Sequence, residues 1–126
     1  MGAYLCKLVA SGDFLFAAAG RSGFVLISKS TSERDDARSV EFAGEDAYSL
    51  SVIESSGDFL VYIATQYDDS GVTRGRLRIL RVGSTSTTIE ATRNVAARVY
   101  AIAAAEGIQS SGVHTVLAVG VKVVAG

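Results

Sequence analysis

Apolar residues in this chain come in short runs, mostly four to eight long, cut by turns rich in glycine and serine. No stretch of twelve residues carries a clean 3.6-residue period, and Val, Ile, Thr, Tyr and Phe dominate the apolar runs, so strands are expected throughout. One stretch, 94–107, is alanine-rich (Ala96, Ala97, Ala101, Ala103, Ala104, Ala105) and favours helix on intrinsic propensity. The run opening Val99-Tyr100-Ala101-Ile102 is nevertheless assigned as a strand, because it repeats two earlier openings.

Those openings are the main organisational signal. Ala3-Tyr4, Ala47-Tyr48 and Val99-Tyr100 each begin an apolar run, and the tyrosines lie 44 and 52 residues apart. The first two repeats then share Ser-Gly-Asp-Phe-Leu, at Ser11–Leu15 and Ser56–Leu60. In the first repeat, strands are expected at 4–9, 14–19, 24–28 and about 38–42, with a polar connection over 29–37. The second predicts 47–53, 59–64, 75–82 and 87–93, with a polar excursion over 67–73. In the third, 99–104, 115–119 and 121–124 give about three strands. Gly12 and Gly57 centre two hairpins that should superimpose, since a turn glycine takes positive φ without a Cβ clash.

Blocks of roughly 40 to 50 residues built from four short strands are the signature of β-propeller blades. The expected fold is therefore all-β, a single partial propeller domain spanning 1–126, with blade 1 about 3–44, blade 2 about 46–93 and an incomplete blade 3 about 97–126. A ring generally needs at least four blades, and about two and three-quarters are present. The end blades would then expose apolar sheet faces and a free edge, so association with protein partners or with a second copy is expected.

Composition agrees with this reading. The chain is 48% hydrophobic and 20% charged, with a net charge of −1, which gives no global attraction to nucleic acid or anionic membranes. Apolar runs fall well short of the ~20 residues that span a bilayer, and no signal-peptide order precedes them. The lone cysteine, Cys6, excludes an internal disulfide and reads as a small buried hydrophobe. A soluble, intracellular protein is expected.

Candidate chemistry is sparse. His114 is the only histidine; Ser110 and Ser111 are too near it in sequence for a persuasive triad, and a solvated turn histidine is the better reading. One His and one Cys in distant repeats do not make a zinc site. Asp35-Asp36 and Asp68-Asp69 suggest weak cation sites, but lack the further spaced oxygens of a binding loop. Gly20-Arg21-Ser22-Gly23 lacks the Lys and the helix of a phosphate loop. No catalytic residue, metal or cofactor is therefore assigned.

The one charge feature is the strand 74–81. Arg74, Arg76 and Arg78 share one face, Leu77 and Ile79 the other, and Arg81 follows. These four arginines are the candidate contact for an acidic partner or for nucleic-acid phosphates. The favoured reading is an outer-face ladder satisfied by neighbours such as Glu90. With no aromatics interleaved to stack bases, nucleic acid is the weaker partner.

Absence of Trp, and of a Gly-His opening, argues against tryptophan-aspartate and kelch blades. A different resemblance is carried by Ala47-Tyr48-Ser49-Leu50-Ser51-Val52, Tyr62-Ile63-Ala64-Thr65, Arg74-Gly75-Arg76-Leu77-Arg78-Ile79-Leu80, Arg98-Val99-Tyr100-Ala101-Ile102 and Val116-Leu117-Ala118-Val119-Gly120-Val121-Lys122-Val123. In order and type these motifs resemble the propellers of the cleavage-and-polyadenylation-factor A-subunit family, which includes the large subunit of the damaged-DNA-binding complex. The resemblance spans roughly 47–124; the first 46 residues carry no such motif. It implies a non-catalytic scaffold in a nuclear multisubunit assembly, acting in pre-mRNA processing or as a ubiquitin-ligase adaptor. An enzyme or ligand-binding propeller with a central-channel site is the alternative, and would require convergent polar residues on the inner strands, where Ser, Ala and Val predominate.

Overall fold

The computed structural model describes residues 7–95, 99–109 and 112–121. Among them ten strands occur and no helix: β1 (Lys7–Ser11), β2 (Phe14–Ala18), β3 (Phe24–Ser28), β4 (Arg34–Val40), β5 (Asp46–Ser55), β6 (Asp58–Asp69), β7 (Val72–Val82), β8 (Thr87–Val95), β9 (Val99–Gln109) and β10 (Gly112–Val121). β1-β2-β3-β4 and β5-β6-β7-β8 form two four-stranded antiparallel sheets in simple chain order, and β9 pairs with β10. The alanine-rich stretch is thus strand over 99–109. The described residues do not close a ring.

The two Ser-Gly-Asp-Phe-Leu hairpins do not superimpose in register, contrary to expectation. In the first, Ser11 pairs with Phe14, so the loop is Gly12-Asp13, and only Gly12 takes positive φ (57°). In the second, Ser55 pairs with Asp58, so the loop is Ser56-Gly57, both at positive φ (52° and 86°). Positive φ at both loop positions is the primed turn that suits right-twisted strands. Asp13 is not in that region, so the shared pentapeptide turns one residue later in the first hairpin.

A one-residue shift exchanges the faces of every following side chain. By position after the turn, Phe16 corresponds to Leu60 and Ala18 to Tyr62, while Phe59 corresponds to Leu15. Phe14, Phe16 and Ala18 therefore point from the first sheet toward the second, whereas Phe59, Val61 and Ile63 point back to meet them. The rings of Phe16 and Phe59 lie 4.9 Å apart, and Phe14 meets Phe59 edge-on at 6.1 Å. Phe24, Leu26 and Phe42 from one side and Leu50, Leu80 and Val82 from the other complete this core.

Backbone and side-chain links pin the stack at both ends. Gly20 and Ala47 exchange two backbone hydrogen bonds (2.8 and 2.9 Å) at one end. At the other, Arg38 donates to the Gly83 carbonyl (3.0 Å) and Thr87 donates to the Arg38 carbonyl (2.7 Å). Gly23, at φ 75°, lies so close to the chain after β4 that an added Cβ would sit 2.4 Å from the Val40 carbonyl oxygen. Only glycine fits there.

The opposite face of the second sheet carries a smaller cluster, Ile53, Tyr62 and Ala64, with Tyr48, Leu60, Leu77 and Ile79 packed around it. β9 lies against β5 and β6.

Several strand boundaries differ from expectation. β4 begins at Arg34, inside the expected polar connection, because Asp35 and Asp36 are neutralised by Arg38 and Arg34. The strand is irregular between Asp35 and Val40; the Ser39 hydroxyl donates to the Asp35 carbonyl and accepts the Leu26 amide, replacing a ladder bond. The polar excursion 67–73 is a continued hairpin turning at Ser70-Gly71, both at positive φ. Finally, 115–121 lies within a single strand, β10, which absorbs the Gly120 break as a register shift; residues 122–124 lie outside the described residues.

Candidate functional site: the arginine strand and the face beside it

The β6–β7 pairing sets Arg76 opposite Thr65, Arg78 opposite Ile63 and Leu80 opposite Val61. Arg76 and Arg78 therefore share a face with the main core, not with solvent on an outer face. This corrects the outer-ladder expectation. The polar residues cap one end of the interface between the two four-stranded sheets.

Their organiser is Glu45, which sequence reasoning passed over. A tight turn between β4 and β5, with Gly44 at φ 76° and the Glu45 amide on the Phe42 carbonyl (3.0 Å), tucks it inward until it is only 4% exposed. One carboxylate oxygen accepts from the Thr65 hydroxyl (2.6 Å); the other accepts from Arg78 (2.7 Å) and from Arg76. Burial pushes the carboxyl pKa up, but bonds from Thr65, Arg78 and Arg76 outweigh it and hold the group below the usual glutamate range. Arg76 stacks on the Tyr67 ring (4.0 Å to the centroid) and Arg78 on Phe42 (4.6 Å). Asn94 and Thr92 accept from the same two arginines across the sheet.

The other two arginines are paired as well. Arg74 bonds Asp69 (2.6 Å). Arg81 lies on the opposite face from Arg76 and Arg78, where it bonds Glu90 (2.5 Å) and approaches Asp58 (3.6 Å). All four cations of β7 thus have an internal carboxylate partner.

The remaining candidates are equally engaged or lie elsewhere. Asp35 accepts the Arg38 amide and guanidinium; burial raises its pKa, but Arg38 holds it below the usual range. Among the described residues no group of three or more His, Cys, Asp and Glu converges as a metal site. Arg21 bonds Asp46, while the Ser22 and Gly23 amides donate to the Ala19 and Gly20 carbonyls, so that loop offers no cradle of free N–H groups. His114 stands within β10, paired to Gly107, not in a turn. Cys6, Ser110 and Ser111 lie outside the described residues.

On the face of the smaller cluster, Tyr62, Leu77, Ile79 and Ala91 line a largely apolar cavity of about 310 Å³, together with Arg78, Arg93 and Asn94. β9 packs on β5 and β6.

Comparison with protein-family models, with curated proteins and with solved structures found no match.

Proposed function

We propose that the chain is a propeller-type, non-catalytic interaction module whose stacked sheets are completed by another polypeptide or by a second copy. The observation that carries this reading is the repetition in space. Two four-stranded sheets of the same chain order lie face to face, with β1 against β5 and β4 near β8, and β9 then lies against β5. Strands of equal rank follow one another, as successive blades do. A further support is that the four arginines of β7 are neutralised by Asp69, Glu45 and Glu90, which favours a structural part for them over nucleic-acid binding. Together with the motif resemblance, this suggests a scaffold within a nuclear multisubunit assembly.

Sedimentation velocity at micromolar concentration tests the reading. Self-association, or a stable complex with a captured protein, is the expected result. A folded, soluble 13.1 kDa monomer that stays alone would overturn it.

A further inference from the structure

Strand register gathers an acceptor-rich patch at the end of the second sheet nearest the β2–β3 turn. Asp46 of β5 lies opposite Gln66 of β6, and Asp68 of β6 lies opposite Thr73 of β7. Gln66 and Asp68 stand two positions apart, so alternation gives all four side chains one face. Directly opposite residues have Cβ atoms about 5 Å apart, which makes each pair close neighbours. Gly75, opposite Gln66 on β7, adds no side chain and leaves room beside the amide. The two backbone hydrogen bonds between Gly20 and Ala47 bring Arg21 alongside, where its Nε donates to Asp46 Oδ1 (2.7 Å). Arg21, Asp46, Gln66, Asp68 and Thr73 line a mainly polar cavity of about 200 Å³.

Acceptors outnumber donors in this cavity. Arg21 is the one cation lining it among the described residues, and its bond uses a single oxygen of Asp46. Asp68 is exposed and makes no ion pair among the described residues. Its neighbour Asp69 falls on the opposite face, bonded to Arg74, so the adjacent aspartates do not act as a pair. The Gln66 carbonyl oxygen Oε1 is buried with no hydrogen-bond partner. An unsatisfied buried acceptor carries a desolvation cost that a donor from a ligand removes. Two carboxylates against one guanidinium leave the lining net negative, so the fitting donor is a cation.

Donor geometry narrows the choice of cation. An ammonium carries three donors, one each for Asp46, Asp68 and the Gln66 carbonyl. A guanidinium fork wants a carboxylate with both oxygens free, and Arg21 already holds Asp46. Calcium takes roughly six to eight oxygen ligands, more than this lining supplies. We propose that the cavity binds an alkylammonium ion, the end of a lysine side chain or of a free polyamine. The site is built from described strands and turns alone and does not rest on the interaction-module reading.

The test titrates the isotope-labelled full chain with N-acetyl-lysine methylamide, whose side-chain ammonium is its only charge, and follows amide NMR signals. Saturable shifts of the Gln66 side-chain amide and the Asp68 backbone amide are expected. The analogue acetylated on its side-chain nitrogen should leave both signals in place. Asp68→Asn and Gln66→Leu should each weaken binding about fivefold, with thermal melts showing that both variants stay folded. Spermidine and a blocked glycine-lysine-glycine peptide separate the sources: whichever binds more tightly assigns the ammonium to a polyamine or to a protein. An equal response to the acetylated analogue, unchanged affinity in Asp68→Asn, or tighter binding of calcium ion than of the lysine analogue would each overturn the proposal. Binding by a chain that sediments as a monomer would support this site even as the interaction-module reading fails.

Discussion

The equivalent faces of the two four-stranded sheets differ in completion more than in composition. On the first sheet, Phe16, Ala18, Phe24 and Leu26 are sealed beneath a second sheet of equal width. On the second, Tyr62 and Ala64 are buried near β9, while Leu77 and Ile79 remain half-buried over β7 and β8. A repeated sheet buries its core only where a neighbour exists, so the same pattern of apolar residues yields a sealed interior in one place and a half-buried face in the other.

The largest effects should come from the sealed face. Phe16→Ala removes a ring that meets Phe14, Phe24 and Phe59, and should lower unfolding free energy by about 3–5 kcal/mol in urea titration. A loss below about 1 kcal/mol would show that the interface is loosely packed. Next comes Glu45→Ala, which leaves Arg78 buried without its carboxylate. The expected cost is about 3 kcal/mol, near the lower end for a broken buried pair because Arg76 keeps some contact with water.

Glu45 also gives a pH signature. Its folded pKa is depressed, so its contribution is complete above the unfolded glutamate value and is lost as pH falls through the folded one. Thermal melts of the native chain should therefore weaken in acid, below the ordinary carboxylate range. Glu45→Gln should flatten that acid limb; an unchanged profile would assign the acid sensitivity to other carboxylates.

On the half-covered face, Leu77→Ala should cost only about 1 kcal/mol, in proportion to its smaller buried area. A loss as large as that of Phe16→Ala would mean that this face is sealed too. The smallest effect belongs to Arg93→Glu, which should alter unfolding free energy by less than about 0.5 kcal/mol, since the side chain is exposed and makes no ion pair among the described residues.

Much of the strand order was legible from alternation and from the repeated openings. Residues 24–28 are a strand as expected, and most of the others shifted only at their ends. Register was harder to read. Ser-Gly-Asp can turn at Gly-Asp or at Ser-Gly, and the choice depends on which face Phe14 and Phe59 must bury, which is settled between sheets and not within either hairpin. Charge obscured β4 for a related reason: Arg34, Asp35, Asp36 and Arg38 read as a solvated loop until their pairing across one short strand is seen.

The arginine face was legible as a period-two pattern, but its direction was not. Arg76 and Arg78 look outward in a sequence reading because guanidinium groups are expensive to bury alone. Glu45 alters that balance, and nothing around Gly44-Glu45-Asp46 distinguishes it from an ordinary turn acid. The signal emerges only when the β4–β5 turn brings it against Thr65, opposite Arg76.

The central comparison can be measured with single cysteines in a Cys6→Ala background. Ala18 lies under the second sheet, Ala64 in the cluster near β9, and Ala91 over β8 in the open half. Thiol labelling of the folded chain should be slow for Ala18→Cys and Ala64→Cys, limited by unfolding, and rapid for Ala91→Cys. Equal rates at Ala64→Cys and Ala91→Cys would contradict the account, because the second sheet would then present no half-buried face.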